Sequence, residues 1–187
     1  MISAVLIGAG TAVWWVFSVA AMRDAGLDAT SARVVYAACG AAGILASLSG
    51  AAFARLGLRN GYLGTCGLLG GSLVLLGFAA GAVTGALCAA ILFGVFYNGG
   101  VAAQGIWSSR VFADHPSAGL AAVNTALTLG TLAGPPIAGP AIAHAGYAPT
   151  LLGAALATLA AAAFCPPTER RRRVLARHRC NAALVRH

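Results

Sequence analysis

The sequence contains no lysine and very little charge of either sign. Only 9% of its 187 residues are charged; the basic residues are 12 arginines, and four residues are acidic. A typical soluble domain carries about 25% charged residues. The chain is also 59% hydrophobic, with a mean hydropathy of +0.84, which is more apolar surface than a short soluble chain can bury. The composition excludes an ordinary soluble domain and favours a protein that uses lipid as its solvent.

Recognisable metal, disulfide and nucleic-acid patterns are missing as well. The five cysteines form no C-x-x-C pair, so we predict neither a disulfide framework nor a metal site, and no cofactor. A net charge of +8 can indicate nucleic acid, but the arginines lie near the ends of apolar segments or in the tail. That distribution is typical of membrane topology, so no nucleic-acid partner is expected. Arginine without lysine, beside abundant alanine and glycine, indicates a bacterial genome.

The charged residues divide the chain into uncharged runs, and the lengths of these runs predict the number of membrane spans. About 20 residues cross a bilayer as a helix, and a charge at the bilayer centre costs about 2.5–3.5 kcal/mol. Two runs fit one span each. Two longer runs fit two spans each and are divided at the turn-forming sequences GAVTG and HAGYAP. The six predicted spans are residues 2–22, 34–53, 62–81, 86–107, 120–143 and 147–165.

The arginines also predict the orientation. Residues 1–165 should form one transmembrane bundle, and residues 166–187 a basic, disordered tail. Six spans place both termini on one side, together with Arg55, Arg59, Arg110 and the tail arginines, including the run at 170–173. The side richer in arginine is the cytoplasmic one. We therefore expect a multi-pass protein of the bacterial cytoplasmic membrane, embedded in the lipid bilayer, with both termini in the cytoplasm.

Two stretches at the ends of the second and fifth spans resemble each other. Residues 50–57 read GAAFARLG and residues 139–146 read GPAIAHAG. Glycine, alanine, a large apolar residue, alanine, a nitrogenous side chain and glycine recur in register. A unit with an odd number of spans inverts its copy, so the pattern predicts a 3+3 inverted repeat, which is typical of secondary transporters.

The loop after the second span carries Gly50, Arg55, Gly57 and Arg59 in the order G-x-x-x-A-R-x-G-x-R-N. This order resembles a loop motif of the major facilitator superfamily, roughly G-x-x-x-D-[RK]-x-G-x-[RK]-[RK]. An alanine stands where the family prefers aspartate, and an asparagine replaces the last basic residue. The departure weakens any charge relay at this loop.

The fifth span, with its glycines and Pro135, Pro136 and Pro140, resembles the eleventh helix of the same superfamily. The resemblance covers residues 2–165 and implies an all-α membrane protein that corresponds to helices seven to twelve of twelve, half of a major facilitator fold. The prolines remove backbone donors and should kink the helix, either as a static bend or as a gating hinge. The glycines at 130 and 134 should let another helix approach closely.

The resemblance further implies that spans one, two, four and five line a solute cavity. Asparagine and glutamine are costly in hydrocarbon without a partner, so they should face protein or a water-filled space. Alternatively, these polar side chains hold helices together, and the tryptophans lie at the membrane interface. The candidates for contact with a solute are Trp14, Ser18, Asn98, Gln104, Trp107, Asn124 and Thr128.

These features predict a secondary transporter of an unidentified small solute rather than an enzyme. No carboxylate lies at mid-span, so no proton relay is predicted within this chain. Because a six-helix half lacks its opposing bundle, it would pair with a separate six-helix half or with itself, and the alternative is an inactive fragment or interaction partner. A remote alternative is an intramembrane protease, with Ser72 as nucleophile and His144 as base, although the G-x-S-G pattern is incomplete at Gly70 to Leu73.

Overall fold

The computed structural model describes residues 1–165, and for residues 48–52 it describes the backbone alone. The predicted tail at 166–187, with its arginine run, lies outside the described residues. Within them the chain is helical throughout and contains no strand. The helices are α1 (Ile2–Asp24), α2 (Ala29–Ala42), a 3₁₀ segment (Gly43–Leu48), α3 (Ser49–Leu56), α4 (Leu58–Ala79), α5 (Val83–Val111), α6 (Pro116–Ala145), α7 (Tyr147–Ala160) and a second 3₁₀ segment (Ala161–Phe164).

Six of the described helical stretches are long and apolar enough to cross a membrane, which confirms the predicted multi-pass, all-α membrane protein. They are Ile2–Asp24, Ala29–Ser47, Leu58–Ala79, Val83–Val111, Pro116–Ala145 and Tyr147–Phe164. The second span is displaced toward the N-terminus from the predicted 34–53, and α5 and α6 continue beyond the predicted spans at both ends. The 29 residues of α5 extend about 44 Å, longer than the hydrocarbon core of about 30 Å. α5 is therefore long enough to extend beyond the hydrocarbon or to cross it at a tilt.

The second span differs from the prediction of one continuous helix. It changes from α-helix to a 3₁₀ segment at Gly43 and resumes as α3, and such tightening often marks a hinge or a local constraint. Of the loop-motif residues, Gly50 and Arg55 lie in α3 and Arg59 lies in the first turn of α4. Gly57 separates the two helices with φ +78°, a conformation that favours glycine.

The helices pack in a regular set of pairs. α1 packs most extensively against α6 and α7, whereas α5 packs most extensively against α2 and α4. α4 also packs along α7. The backbones of α1 and α5 come close at few points, and these two helices meet mainly through aromatic side chains. α1 is the most buried of the six spans and α6 the least. The core therefore lies around α1, α4 and α5, and α6 is attached to it mainly through α1.

Glycines create the contact between α1 and α6. A Cβ atom added to Gly130 would collide with the carbonyl oxygen of Val5, and one added to Gly8 would collide with that of Leu127. Gly134 approaches Ala9 in the same way. The predicted close approach at positions 130 and 134 is confirmed, and it is the usual way in which membrane helices bring their backbones together.

Asp28 caps the start of α2. Its carboxylate accepts hydrogen bonds from the backbone N–H groups of Thr30 and Ser31, both at 2.9 Å. Hydrogen bonding from Ser31, first through its side chain and then its backbone, holds the pKa of this carboxyl below its ordinary value. A carboxyl whose pKa is lowered by folding contributes stability above its ordinary pKa, and this contribution is lost as the pH falls through the lowered value.

We therefore expect Asp28→Ala to lower the thermal unfolding midpoint modestly at neutral pH, because the first turn of α2 loses its cap. The measurement is thermal unfolding in detergent, followed by circular dichroism between neutral and strongly acidic pH. The difference between variant and parent should shrink in acid, where the parent carboxyl is also protonated. Asp24→Ala, in the last turn of α1, is the matched control. An equal midpoint for Asp28→Ala and the parent at neutral pH would contradict the capping role.

Candidate functional site

The structure places the seven predicted solute-contacting residues in three different environments. Trp14 and Ser18 are fully buried inside the bundle. Gln104 and Trp107 line a cavity at one end of it. The remaining three are exposed on α5 and α6: Asn98, Asn124 and Thr128. The seven residues therefore do not surround one common space.

Trp14 lies in an aromatic cluster that joins α1 to α5. Its ring stacks on Phe93 with centroids 4.4 Å apart, and Phe93 stacks on Tyr97 at 5.7 Å. Trp15 meets both Phe93 and Tyr97 edge-on, at 5.3 Å each. Stacked and edge-on pairs of this kind stabilise a core by about 0.5–1.5 kcal/mol each beyond their buried area. With 0% of its surface exposed and a place near the middle of α1, Trp14 does not fit an interfacial belt.

The Gln104 cavity, as we call it, lies where the beginning of α1 meets the end of α5. It has a volume of about 260 Å³, and its lining includes Ser3, Gln104, Trp107 and Ser108. Gln104 is only 3% exposed, and neither its amide nitrogen nor its amide oxygen has a hydrogen-bond partner. A buried amide without partners costs a few kcal/mol. Gln104 therefore places an unpaired donor and an unpaired acceptor beside this cavity.

Further polar groups lie near Gln104. The Tyr62 hydroxyl lies near Ser3 and Gln104 and donates to the carbonyl oxygen of Ala161 at 3.5 Å. The Tyr62 ring meets Trp107 edge-on at 5.8 Å. The Ser108 hydroxyl donates to the carbonyl oxygen of Gly105 at 2.9 Å. The sequence does not single out Ser3 and Tyr62, because they belong to α1 and α4 and only helix packing brings them beside Gln104.

Further polar side chains are exposed on α5 and on α6. The Asn98 amide donates to the carbonyl oxygen of Gly94 at 3.0 Å, and the Thr128 hydroxyl donates to that of Asn124 at 2.9 Å. Asn124, Thr128 and Thr131 repeat at i, i+4 and i+7, so they form one stripe along α6. A stripe with an exposed amide is costly against lipid and should face protein or water.

The three prolines of α6 add to its polar surface. The helix continues without interruption through Pro135, Pro136 and Pro140. Each proline lacks an N–H group, so the carbonyl four residues before it has no partner in the helix. These carbonyls belong to residues 131, 132 and 136. The predicted kink stays a prediction.

The residues of the remote protease alternative are far apart in the fold. Ser72 is buried in α4, and its hydroxyl donates to the carbonyl oxygen of Leu69 at 2.6 Å. His144 is exposed near the end of α6, and in the described part of the chain α4 and α6 make no contact. A nucleophile and its base must lie within hydrogen-bond reach. Within residues 1–165, no three histidine, cysteine, aspartate or glutamate side chains group closely enough to hold a metal ion.

Comparison of the chain with protein-family models, with curated proteins and with solved structures finds no match. The function must therefore be inferred from the helices and their side chains. The arrangement offers hydrogen-bonding groups at two places, the Gln104 cavity and the exposed stripe of α6. It offers a solute neutral donors and acceptors beside aromatic rings.

Proposed function

We propose that this chain is one half of a secondary transporter of small solutes, built like helices seven to twelve of the major facilitator superfamily. The observation that carries the proposal is the pairing of the helices. Exchanging α1 with α5, α2 with α6 and α4 with α7 converts the observed set of main pairs into itself. An inverted repeat of three spans would produce this equivalence.

The chemistry of the corresponding interfaces supports the same repeat. Gly94 of α5 approaches the backbone carbonyl of Cys39 in α2, as Gly8 of α1 approaches that of Leu127 in α6. Both interfaces therefore bring two backbones together at a glycine. Two related packings of similar energy would allow the bundle to open alternately to the two sides of the membrane.

The exposed polar side chains of α5 and α6 support a path for a solute. Asn98, Asn124 and Thr128 carry amide and hydroxyl groups, and carriers of this type bind their solute between two halves. A second six-helix half, or a second copy, would cover the stripe and enclose the solute. α6 is the least buried of the six spans, which favours such a partner and also fits the second candidate function, a half that does not transport by itself.

Topology supports a bacterial cytoplasmic membrane with both termini inside. The α3–α4 junction carries Arg55 and Arg59, and the end of α5 carries Arg110; with six spans, these positions lie on the same side as the beginning of α1. The opposite side carries Arg23 and Arg33 together with Asp24 and Asp28. The positive-inside rule therefore places the termini in the cytoplasm.

The test is solute counterflow in proteoliposomes, screened over neutral sugars, zwitterionic amino acids and organic cations. We expect counterflow of one class, and at least a tenfold lower rate for the double variant Asn98→Leu/Asn124→Leu. The loss of two hydrogen bonds of about 0.5–1.5 kcal/mol each accounts for that factor. Thr150→Val is the control, since the Thr150 hydroxyl donates to Gly146 in its own helix at 2.9 Å.

The assay also separates the two candidates. Counterflow by the chain alone indicates a self-paired carrier, and counterflow only after joint production with a separate six-helix half indicates a half-transporter. A chain that moves no solute class in either preparation contradicts transport and leaves the non-transporting partner as the function.

A further inference from the structure

An open groove lies between α3, α4 and α5, and none of the residues proposed to contact a solute lines it. Its volume is about 390 Å³, and almost all of its lining is apolar. Leu56 and Leu68, at 60% and 44% exposure, border it, and the Phe53 ring lies over Gly61 at its floor. Gly64 lines it with nothing within 4 Å of where a Cβ would be, so the groove is open along α4.

Positive charge is concentrated at one end of this groove. Leu56 and Asn60 belong to its lining, and their chain neighbours Arg55 and Arg59 are both exposed. α4 begins beside them at Gly57 without a side-chain cap, so N–H groups of its first turn are free to bind an anion. The apolar groove therefore ends beside an uncapped helix start, and an exposed arginine adjoins each of two residues that line this end.

We propose that this groove binds an anionic phospholipid, with one acyl chain along α4 and the phosphate held by Arg55 and Arg59. From Asn60 to Leu68 the groove follows α4 for about 12 Å, close to the depth of one leaflet, about 15 Å. Guanidinium groups bind phosphate through two parallel hydrogen bonds. The carboxamide of Asn60 lies between the charged end and the apolar part, at the level of the lipid glycerol.

The positive charge of Arg55 and Arg59 also favours a phospholipid over another segment or a second copy of this chain as the molecule in the groove. The residues that follow Cys165 include seven arginines, which Arg55 and Arg59 would repel. A second copy of the chain would bring a second Arg55 and Arg59 to the same place if it paired symmetrically. A phospholipid supplies the negative charge and the apolar chain in one molecule.

The test measures lipid retained by the full-length protein in detergent micelles that contain phosphatidylglycerol or phosphatidylcholine, with bound lipid counted by native mass spectrometry. We expect the parent to retain phosphatidylglycerol at least about fivefold more than phosphatidylcholine, in line with the attraction of anionic lipid to each basic residue. Arg55→Gln/Arg59→Gln should remove this preference. Arg33→Gln, on the other side of the membrane, should keep it.

A glycine pair tests the groove itself. Gly64→Leu fills the groove and should lower phosphatidylglycerol retention about fivefold or more, by excluding the acyl chain. Gly71→Leu is its matched control, because Gly71 lies two turns away on the same face of α4, is equally open and is outside the groove. The arginine variants test the site even if Gly64→Leu does not fold.

Three outcomes would overturn the proposal. Equal retention of the two lipids by the unsubstituted protein would show that the arginines do not favour anionic over zwitterionic lipid. Equal losses for Gly64→Leu and Gly71→Leu would indicate lipid spread over the whole surface of α4. Loss of phosphatidylglycerol after deletion of residues 166–187 would assign the anion to the terminal arginines instead. Since none of these measurements involves a solute, the lipid site stands or falls independently of transport.

Discussion

Substituting leucine for Gly130 should lower the free energy of unfolding by about 3 kcal/mol or more, a shift of over a hundredfold in the folding equilibrium. A Cβ at this position would meet backbone atoms of Val5 and Ala9. Backbone atoms cannot rotate away as a side chain can, so α1 and α6 would have to separate. Because α6 is attached to the core mainly through α1, their separation should release the whole helix. Denaturant unfolding in detergent micelles measures the effect.

Gly139→Leu is the control for this substitution. Gly139 lies in the same helix, and nothing is within 4 Å of where its Cβ would be. Its replacement should cost much less than that of Gly130, because the gain of up to about 1 kcal/mol over glycine in a helix interior offsets crowding against the ring of Pro140, the next residue. If Gly130→Leu and Gly139→Leu unfold at the same denaturant concentration, α1 and α6 do not make the close backbone contact described here.

Replacing Gln104 with leucine is expected to raise the free energy of unfolding by about 1–3 kcal/mol, the typical cost of leaving a buried polar group unpaired. Leucine has a similar size and needs no hydrogen-bond partner. The same substitution should weaken any solute that occupies the Gln104 cavity, since both the donor and the acceptor disappear. Stability is measured by denaturant unfolding in detergent, and solute binding by the counterflow assay.

Asn98→Leu provides the comparison for Gln104→Leu. Asn98 is exposed, and its amide already donates to Gly94, so its removal should not stabilise the protein. A loss of stability in Gln104→Leu, in the absence of solute, would show that the amide is satisfied by internal water. Stabilisation together with reduced counterflow would show that Gln104 is retained for solute binding at a cost in stability.

The number of spans could be predicted from the sequence because charge is excluded from hydrocarbon, a rule that acts locally. Helix ends outside the hydrocarbon follow other rules. α6 begins at Pro116, in the first helical position that proline favours, four residues before the predicted span. The sequence does not predict the 3₁₀ segment at Gly43, because neither proline nor a charged residue interrupts the apolar run there. The segment begins where Gly43 meets Asn98 of α5, whose amide nitrogen would lie 2.7 Å from a Cβ on Gly43.

The candidate site was less predictable, since its properties depend on contacts between helices far apart in sequence. From the sequence alone, Trp14 and Gln104 are both candidates for contact with a solute. The structure separates them, because Trp14 stacks on Phe93 inside the bundle whereas Gln104 opens to a cavity. The neighbours that distinguish them, Phe93 and Tyr62, belong to other helices. A sequence pattern within one helix contains no information on those contacts.

The pairing of α1 with the last two spans has a consequence for biosynthesis. α1 is made before its partners, since α6 begins only at Pro116 and α7 at Tyr147. At about 5–20 residues per second, the ribosome needs roughly 5–20 seconds between the completion of α1 and the start of α6. During this interval the glycine face of α1 has no native partner. Codon changes that slow translation between residues 24 and 116 should therefore lower the yield of inserted protein, through degradation of nascent chains that wait too long.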